Sequence, residues 1–209
     1  MRAFAGRLKL FLFRLDSGIT KLRCRLRGAR FGRGCVVSGM PRLRMHRGSS
    51  VVLGDHVALL SRVRHNPLVR HRVSIQTQTP EAAVEIASHA GISGSRIICV
   101  SRVSIGEYTV IGPDCLIYDK KAHVYDPEVG WSARSLSGKP IVIGSRCYIG
   151  TSCIILKGVT IGDRCVVSAG TVVNRDVPAG HIAFGNPMRT APLPERLVRQ
   201  PSGSGRLRA

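Results

Sequence analysis

The sequence is dominated by a repeat with a period of six residues between Ile143 and Val173. This period matches neither the roughly 3.6-residue turn of a helix nor the two-residue alternation of an ordinary strand. A short strand followed by a corner, repeated, would place one residue per unit in a shared interior. We therefore predict an all-β chain folded as a parallel β-helix. The aliphatic residues that mark the repeat are Ile143, Ile149, Ile155, Ile161, Val167 and Val173.

The same period extends towards the N-terminus with interruptions. About three units should form one coil, and stacked coils should pair as parallel strands roughly 4.8 Å apart. The pattern blurs between residues 61 and 85, and one extra residue shifts the frame before Ile105. We leave the role of the irregular region open. The further repeat positions are Phe31, Val37, Leu43, Leu53, Leu59, Ile86, Ile92, Ile98, Ile105, Ile111 and Ile117.

The cysteines favour packing over metal binding or disulfides. Five of the seven lie four residues after the aliphatic residue that begins a repeat unit, a position that also takes valine and threonine. There is no Cys-x-x-Cys pair, and the count is odd. Buried cysteine behaves as a small hydrophobic residue, so we predict free thiols and a reducing compartment. These five are Cys35, Cys115, Cys147, Cys153 and Cys165.

Positive charge is concentrated in the N-terminal third. Residues 1–72 hold 17 Lys and Arg against two acidic residues, whereas the whole chain has a net charge of +20. Residues 1–30 combine apolar residues at helical spacing with interleaved arginines, and their apolar run is too short for a membrane span. We expect a basic amphipathic helix that either lies on an anionic membrane or caps the solenoid. The sequence leaves both roles open.

A break in the repeat between Ile117 and Ile143 predicts a loop, residues 118–142, extruded from a corner. Loops on rigid scaffolds often carry chemistry. This one contains His123, Asp126 and the only tryptophan of the chain, Trp131. Taken alone, the loop is equally compatible with a solvated segment that holds an incidental histidine.

The order of motifs after Ile105 resembles the hexapeptide-repeat O-acetyltransferases of the maltose and galactoside acetyltransferase type, and their polysaccharide-modifying relatives. The shared order is His123 with Asp126, then Gly138-Lys139-Pro140, the six-residue repeats, Val177-Pro178, and Gly185-Asn186-Pro187. The resemblance implies a left-handed coil, against the usual right-handed crossover. It also implies acyl transfer from acetyl-CoA without a metal, and a cyclic homotrimer with shared sites.

By this resemblance His123 is the general base. An imidazole can take the proton of a hydroxyl as it attacks a thioester, and Asp126 would orient the ring or bind the acceptor. Trp131 and Ser95 are the candidates for acceptor contact. The family's upstream asparagine is replaced here by Ser93 or Ser95, which argues against a free mono- or disaccharide acceptor.

The resemblance also implies a groove for the pantetheine arm and nucleotide of acetyl-CoA. Glycines and small residues would allow close backbone approach, although corner geometry alone explains any single glycine equally well. Cations near the nucleotide would suit its phosphates. The candidate residues are Gly150, Ser168, Ala169, Gly170, Asn174, Arg175 and Arg189.

The resulting prediction is a β-helix acyltransferase domain over residues 31–190, preceded by the helix and followed by a tail at 191–209. We expect a cytoplasmic O-acetyltransferase, with peripheral membrane contact left open, acting on a cell-envelope or capsular glycan precursor that is either free or lipid-linked. The alternatives are a non-catalytic scaffold and an acyltransferase for an amine or small molecule. A metal enzyme of this fold needs three histidines, and His123 has no histidine within thirty residues. No aromatic platform or binding module indicates nucleic acid.

Overall fold

Three parallel sheets form the faces of a prism in a computed structural model that describes residues 18–62, 67–121, 124–128, 130–132 and 137–194. The chain visits the faces in turn, one strand per face and coil, as the six-residue period predicts. The left-handed parallel β-helix predicted from the sequence is the observed fold. Residues 1–17 and 195–209 lie outside the described residues, so the predicted helix start and the tail are not placed.

We name the faces A, B and C. Face A contains β1 (Arg30–Phe31), β4 (Ser50–Leu53), β7 (Ala83–Ile86), β10 (Arg102–Ile105), β15 (Ile141–Ile143) and β18 (Thr160–Ile161). Face B contains β2 (Val36–Ser38), β5 (Ala58–Leu60), β8 (Gly91–Ser93), β11 (Val110–Ile111), β16 (Tyr148–Ile149), β19 (Val166–Val167), β21 (His181–Phe184) and β22 (Arg189–Pro192). Face C contains β3 (Arg42–Arg44), β6 (Ser74–Thr77), β9 (Arg96–Cys99), β12 (Leu116–Tyr118), β17 (Ile154–Leu156) and β20 (Val172–Val173). Outside the prism, β13 (Val124–Asp126) pairs with β14 (Gly130–Ser132).

The interior is a column of stacked aliphatic side chains. All six repeat positions from Ile143 to Val173 are at most 1% exposed. Parallel register places each above its counterpart, for example Ile117 beside Ile155 and Ile155 beside Val173. One predicted position is wrong: Ile97, not Ile98, is fully buried and pairs with Ile117. The corner between β8 and β9 is therefore one residue shorter than its neighbour between β11 and β12.

The side chains four residues after each unit's first aliphatic residue do more than fill space. The five repeat cysteines each donate a thiol hydrogen bond to a corner carbonyl of the adjacent coil, with Sγ–O distances of 3.0–3.1 Å. Thr109 occupies the same slot and donates to the carbonyl of Gly144 at 2.7 Å. Cysteine and threonine both carry a short donor at this position, whereas Val159 fills the same position by packing alone. All seven cysteines are free and buried.

Both ends of the prism are covered by non-repeat structure. Residues 18–26 are helical and bury Thr20 and Cys24 at the N-terminal end. Lys21 ties this helix to the first coil through the carbonyl of Cys35 at 3.0 Å. At the C-terminal end, β22 folds back antiparallel on β21 and completes face B.

Candidate functional site

The extruded loop leaves the prism at the corner between faces C and A, directly after β12. Its two ends run antiparallel, because Lys120 forms a bridge with Gly138 and the Lys121 N–H donates to the carbonyl of Ser137 at 2.9 Å. The Lys139 N–H donates to the carbonyl of Asp119 at 2.9 Å. We call residues 119–121 and 137–139 the loop stem. The stem connects the loop rigidly to the repeats.

Asp119 anchors the stem from inside. Its carboxylate is fully buried and accepts the N–H groups of Val100 and Ser101, both at 2.8 Å, and the thiol of Cys99 at 3.4 Å. Burial raises the pKa of Asp119, while the two backbone donors act in the opposite direction. Burial, with the nearby carboxylate, raises the pKa of Cys99 to about 12. Asp119 therefore holds the loop and does not face a substrate.

Beyond the stem the loop forms a β-hairpin. Asp126 lies opposite Gly130 and Tyr125 lies opposite Trp131, so Asp126 and Trp131 share one short ladder. His123 lies outside the described residues, immediately before this hairpin begins at Val124. The backbone therefore places two of the predicted acceptor-side residues in one element, and their roles stay predictions.

Ser95 does not bind an acceptor, and this part of the prediction is wrong. Its side chain is 1% exposed and its hydroxyl is fully used within the prism. It donates to the carbonyl of Gly112 at 2.6 Å and accepts the N–H of Cys115 at 3.0 Å. The hydroxyl links the shortened corner before β9 to Gly112 and Cys115 in the next coil, so Ser95 has a structural role.

The candidate coenzyme residues fall into two groups. Gly150 and Ser168 to Gly170 lie at the corner between faces B and C. A Cβ on Gly150 would come within 2.6 Å of the Ala169 nitrogen, so coil stacking alone requires that glycine. Gly170 differs: a Cβ would meet nothing within 4 Å, but its φ of +72° favours glycine. Ala169 and Gly170 are exposed, and Ser168 is partly so.

The second group lies one strand further along the chain. Asn174 and Arg175 follow β20 and are exposed. The Arg175 guanidinium donates to the carbonyl of Met188 at 2.7 Å, which ties it to the turn next to Arg189. Arg175 and Arg189 are thus brought together, whereas the hairpin emerges at a different corner of the same prism.

One surface was missed by the sequence analysis. An open groove of about 1080 Å³ runs along face C, and we call it the arginine groove. The sequence does contain a pattern that indicates this surface. Arginines flank buried Leu43 on both sides, and another precedes buried Ile97, so strand alternation places these arginines on the outer face. The arginines that line the groove are Arg27, Arg42, Arg44, Arg72 and Arg96.

The described residues offer neither a metal cluster nor a membrane-spanning helix. Within them, no group of three or more His, Cys, Asp or Glu side chains is arranged to hold a metal ion. In the same parts of the chain, no helix is long and apolar enough to cross a membrane. His123 is not among the described residues.

Comparison with known proteins agrees with this architecture. The model for the hexapeptide repeat of succinyl-transferase matches residues 140–175. Nodulation protein L of Rhizobium meliloti (strain 1021) is 46% identical over 107 residues, covering 51% of this chain and 57% of that protein. The chain spans about half the length of the curated relatives it matches.

Two solved structures show the same fold. A hexapeptide-repeat containing acetyltransferase of Vibrio cholerae O1 biovar eltor, complexed with acetyl coenzyme A, superposes with a TM-score of 0.51 and 25% identity, over 90% of this chain and 84% of that one. A point mutant of the N-acyltransferase AntD of Bacillus cereus, in complex with dTDP and coenzyme A, gives a TM-score of 0.61 with 14% identity, over 84% of this chain and 90% of that one. The prism and its repeats define a left-handed hexapeptide-repeat β-helix protein. Within that fold, the matched segments are similar to hexapeptide-repeat acyltransferases.

Proposed function

We propose that this protein is an acetyl-CoA-dependent O-acetyltransferase that modifies a sugar hydroxyl of a cell-envelope or capsular glycan precursor. The observation that carries the proposal is the hairpin that begins one residue after His123 and is held by a pinned stem on a hexapeptide-repeat prism. Rigid placement matters because direct transfer depends mainly on positioning the two substrates.

In the proposed reaction His123 acts as the general base. It takes the proton of the acceptor hydroxyl while the oxygen bonds to the acetyl carbon. The carbon–sulfur bond breaks, and the proton passes to the departing thiolate. Acetyl-CoA supplies the activated thioester. Asp126 orients the imidazole or binds the acceptor, and Trp131 contributes an acceptor contact on the same hairpin.

Coenzyme binding is assigned to two groups of residues. Gly150, Ser168, Ala169 and Gly170 would line the pantetheine path at the corner between faces B and C. Arg189, with Asn174 and Arg175 nearby, would meet the nucleotide phosphates, where guanidinium groups are well suited. The guanidinium of Arg175 is already engaged with Met188, which favours Arg189 as the direct phosphate contact.

The primary test compares the native protein with His123→Ala in acetyl-CoA turnover, measured as free thiol release with hydroxyl and amine acceptors. We expect a loss of roughly 100-fold or more in the variant and a preference for hydroxyl acceptors. Coenzyme affinity should be unchanged. If the native protein bound no CoA, the enzyme proposal would be rejected in favour of the non-catalytic scaffold. If acetyl transfer occurred only to amines, the protein would be an N-acyltransferase.

A homotrimer would complete the proposed site. In one chain, the hairpin leaves the corner between faces C and A, while Gly150 and Gly170 lie at the corner between faces B and C. A neighbouring prism could bring its hairpin to that second corner, as cyclic symmetry allows. Light scattering should give three times the chain mass of 22.6 kDa. A monomer would require both halves of the site to come from one chain.

Membrane contact is proposed for the N-terminal helix, which would place a cytoplasmic enzyme at the inner face of the membrane. While Thr20 and Cys24 face the prism, Ile19, Leu22 and Leu26 are 56%, 58% and 79% exposed. This exposed apolar stripe, beside exposed arginines, is typical of interfacial helices. Flotation with anionic vesicles should show binding that Leu22→Gln/Leu26→Gln weakens about tenfold or more. The control Val110→Thr should float normally, and equal flotation of all three proteins would remove the proposal.

A further inference from the structure

The arginine groove concentrates positive charge on the outer surface of face C. All five arginines are exposed. Among the described residues that line the groove, the one acidic side chain is Asp114, which is paired with His71 at 3.0 Å. Arg27 donates to the carbonyl of Leu43 at 3.3 Å. Among the described residues, the guanidinium groups of Arg42, Arg44, Arg72 and Arg96 have no hydrogen-bond or ion-pair partner. The backbone N–H groups of Arg42 and Arg96 donate to the carbonyls of Val73 and Cys115, as part of the strand ladder. The groove therefore presents guanidinium groups that are available to an external anion.

The strand register makes this cluster compact. On face C, Arg42 pairs with Ser74, Ser74 with Arg96, and Arg96 with Leu116. With about 4.8 Å between strands, Arg42 and Arg96 are roughly 10 Å apart along the groove, with the half-buried Ser74 between them. Arg44 lies on the same outer face, two residues from Arg42.

The irregular region seen in the sequence contributes to one wall of this groove. The segment that precedes β6 carries His71 and Arg72, and both line the groove. It packs against the corner at Gly94, where a Cβ would come within 2.9 Å of the His71 carbonyl oxygen. Gly94 also has a φ of +48°. The glycine thus lets the segment approach the prism and bring Arg72 beside face C.

The charge does not continue along the face. Beyond Arg96 the same row reads Leu116, Ile154 and Val172, and the parallel row beyond Arg44 reads Gln76, Ile98 and Tyr118. A polyanionic chain lying along the prism would need cations over its whole length. A single group with several adjacent charges needs one compact cluster, which is what the groove provides. The uncharged end of the groove reaches β12, where the loop begins.

We propose that the arginine groove binds the diphosphate group of the acceptor, so that the substrate class is a sugar linked through a diphosphate. This inference rests on the proposed acetyltransferase function and names its acceptor. Guanidinium groups pair bidentately with phosphate oxygens, and several together match a group that carries adjacent negative charges. The sugar extends from the groove towards the loop that leaves the prism after Tyr118.

Calorimetry with inorganic pyrophosphate on the full chain, with the coenzyme site filled by saturating CoA, tests the groove directly. We expect Arg42→Gln/Arg96→Gln to weaken pyrophosphate binding at least about 30-fold, because two charge-assisted contacts are lost. Arg42→Lys/Arg96→Lys should recover part of the affinity. The matched control Arg30→Gln/Arg164→Gln removes the same charge elsewhere and should bind like the native protein.

Three results would overturn the inference. Equal pyrophosphate affinity in all variants would show only non-specific attraction to a basic protein. Tighter, Arg42-dependent binding of a carboxylate oligosaccharide such as hexagalacturonate would assign the groove to an acidic glycan. Acetylation of glucose and UDP-glucose with the same KM would show that the diphosphate is not recognised. The expected result is a lower KM for UDP-glucose, lost in Arg42→Gln/Arg96→Gln while kcat is retained.

These outcomes separate the inference from the function it rests on. CoA affinity and thiol release are measured on the same samples. If Arg42→Gln/Arg96→Gln left acetyl transfer unchanged for every acceptor, the acetyltransferase function would stand. The proposal that the groove binds the acceptor diphosphate would be rejected. If pyrophosphate binding depended on the arginines but the protein bound no CoA, the acetyltransferase function would be rejected. The assignment of the groove to an acceptor would be rejected with it, and the groove would remain an anion-binding site. Thermal unfolding checks that the exposed substitutions leave the fold intact.

Discussion

A single side-chain position explains much of how neighbouring coils are joined. Where a coil turns, a short donor such as the thiol of Cys147 or the hydroxyl of Thr109 reaches a carbonyl of the adjacent coil. The Thr109 hydroxyl also accepts the N–H of Cys147 at 3.0 Å. Ser95 does both at the shortened corner. These side chains satisfy buried backbone groups that would otherwise lack partners.

Replacement of Ser95 by alanine should therefore destabilise the prism. We expect Ser95→Ala to lower the free energy of unfolding by about 1–3 kcal/mol, because the Cys115 N–H and the Gly112 carbonyl lose a buried partner. Urea unfolding measures the change. Ser104→Ala, on the outer side of β10, should stay within about 0.5 kcal/mol of the native protein. An unchanged stability with impaired acetylation would restore Ser95 as an acceptor residue.

The misassignment of Ser95 shows where sequence reasoning reached its limit. The inward residues from Ile143 to Val173 follow from their period, and their burial confirms it. Around Ile97 and Ile98 both candidates are aliphatic, so composition cannot decide which one faces the core. Only the shortened corner, visible in the register with Ile117, shows that Ile97 does. Without that corner, Ser95 resembled an exposed turn residue.

At the scale of elements, the loop stem connects the repeats to the candidate chemistry. The break in the repeat predicts a loop at residues 118–142, and the stem lies inside those bounds, between the end of β12 at Tyr118 and the start of β15 at Ile141. The role of Asp119 could not be read from the sequence, because an acidic residue beside His123 looks equally suited to catalysis. Its burial against the N–H groups of Val100 and Ser101 assigns it to anchoring.

Gly138 is the most sensitive position of this stem. A Cβ there would come within 2.6 Å of the Asp119 carbonyl oxygen and would also meet Val100. We expect Gly138→Ala to displace the loop and to reduce kcat/KM roughly 10- to 100-fold, since small misplacements weaken catalysis strongly. Hydrogen exchange at the Lys121 and Lys139 amides should become faster, because both donate across the stem.

Gly91→Ala provides the matched control for this change. A Cβ at Gly91 meets nothing within 4 Å, and the residue lies on face B. Its activity and amide exchange should match the native protein. If Gly138→Ala exchanged and reacted like Gly91→Ala, the stem would not be the element that positions the hairpin.

At the scale of the whole molecule, the two ends of the prism carry different features. The N-terminal end carries the helix with its exposed apolar stripe and the start of the arginine groove, and the C-terminal end carries the candidate coenzyme residues. The lopsided charge was visible in the sequence, with +15 of the net +20 in residues 1–72. The arrangement of this charge into one groove was not visible in the sequence, because β3, β6 and β9 become neighbours only when the coils stack.

The difference between the two ends should also appear in the order in which the coils unfold. Each coil of a solenoid contacts only its neighbours, so stability varies along the axis. The first coils are irregular, whereas the last are regular and are covered by β22. The buried cysteines are spread along the axis and report on it through their protection from alkylation. Those at the N-terminal end are Cys24 and Cys35, and those in the regular coils are Cys147, Cys153 and Cys165.

In pulsed alkylation at rising urea, read by peptide mass spectrometry, we expect Cys24 and Cys35 to be modified at lower denaturant than Cys147, Cys153 and Cys165. Without urea all seven should resist modification, because each is buried. Full denaturation, in which all seven react, serves as the control. Simultaneous labelling of every cysteine would show that the prism unfolds as one cooperative unit. In that case the irregular coils that form the arginine groove would be as stable as the regular coils behind them.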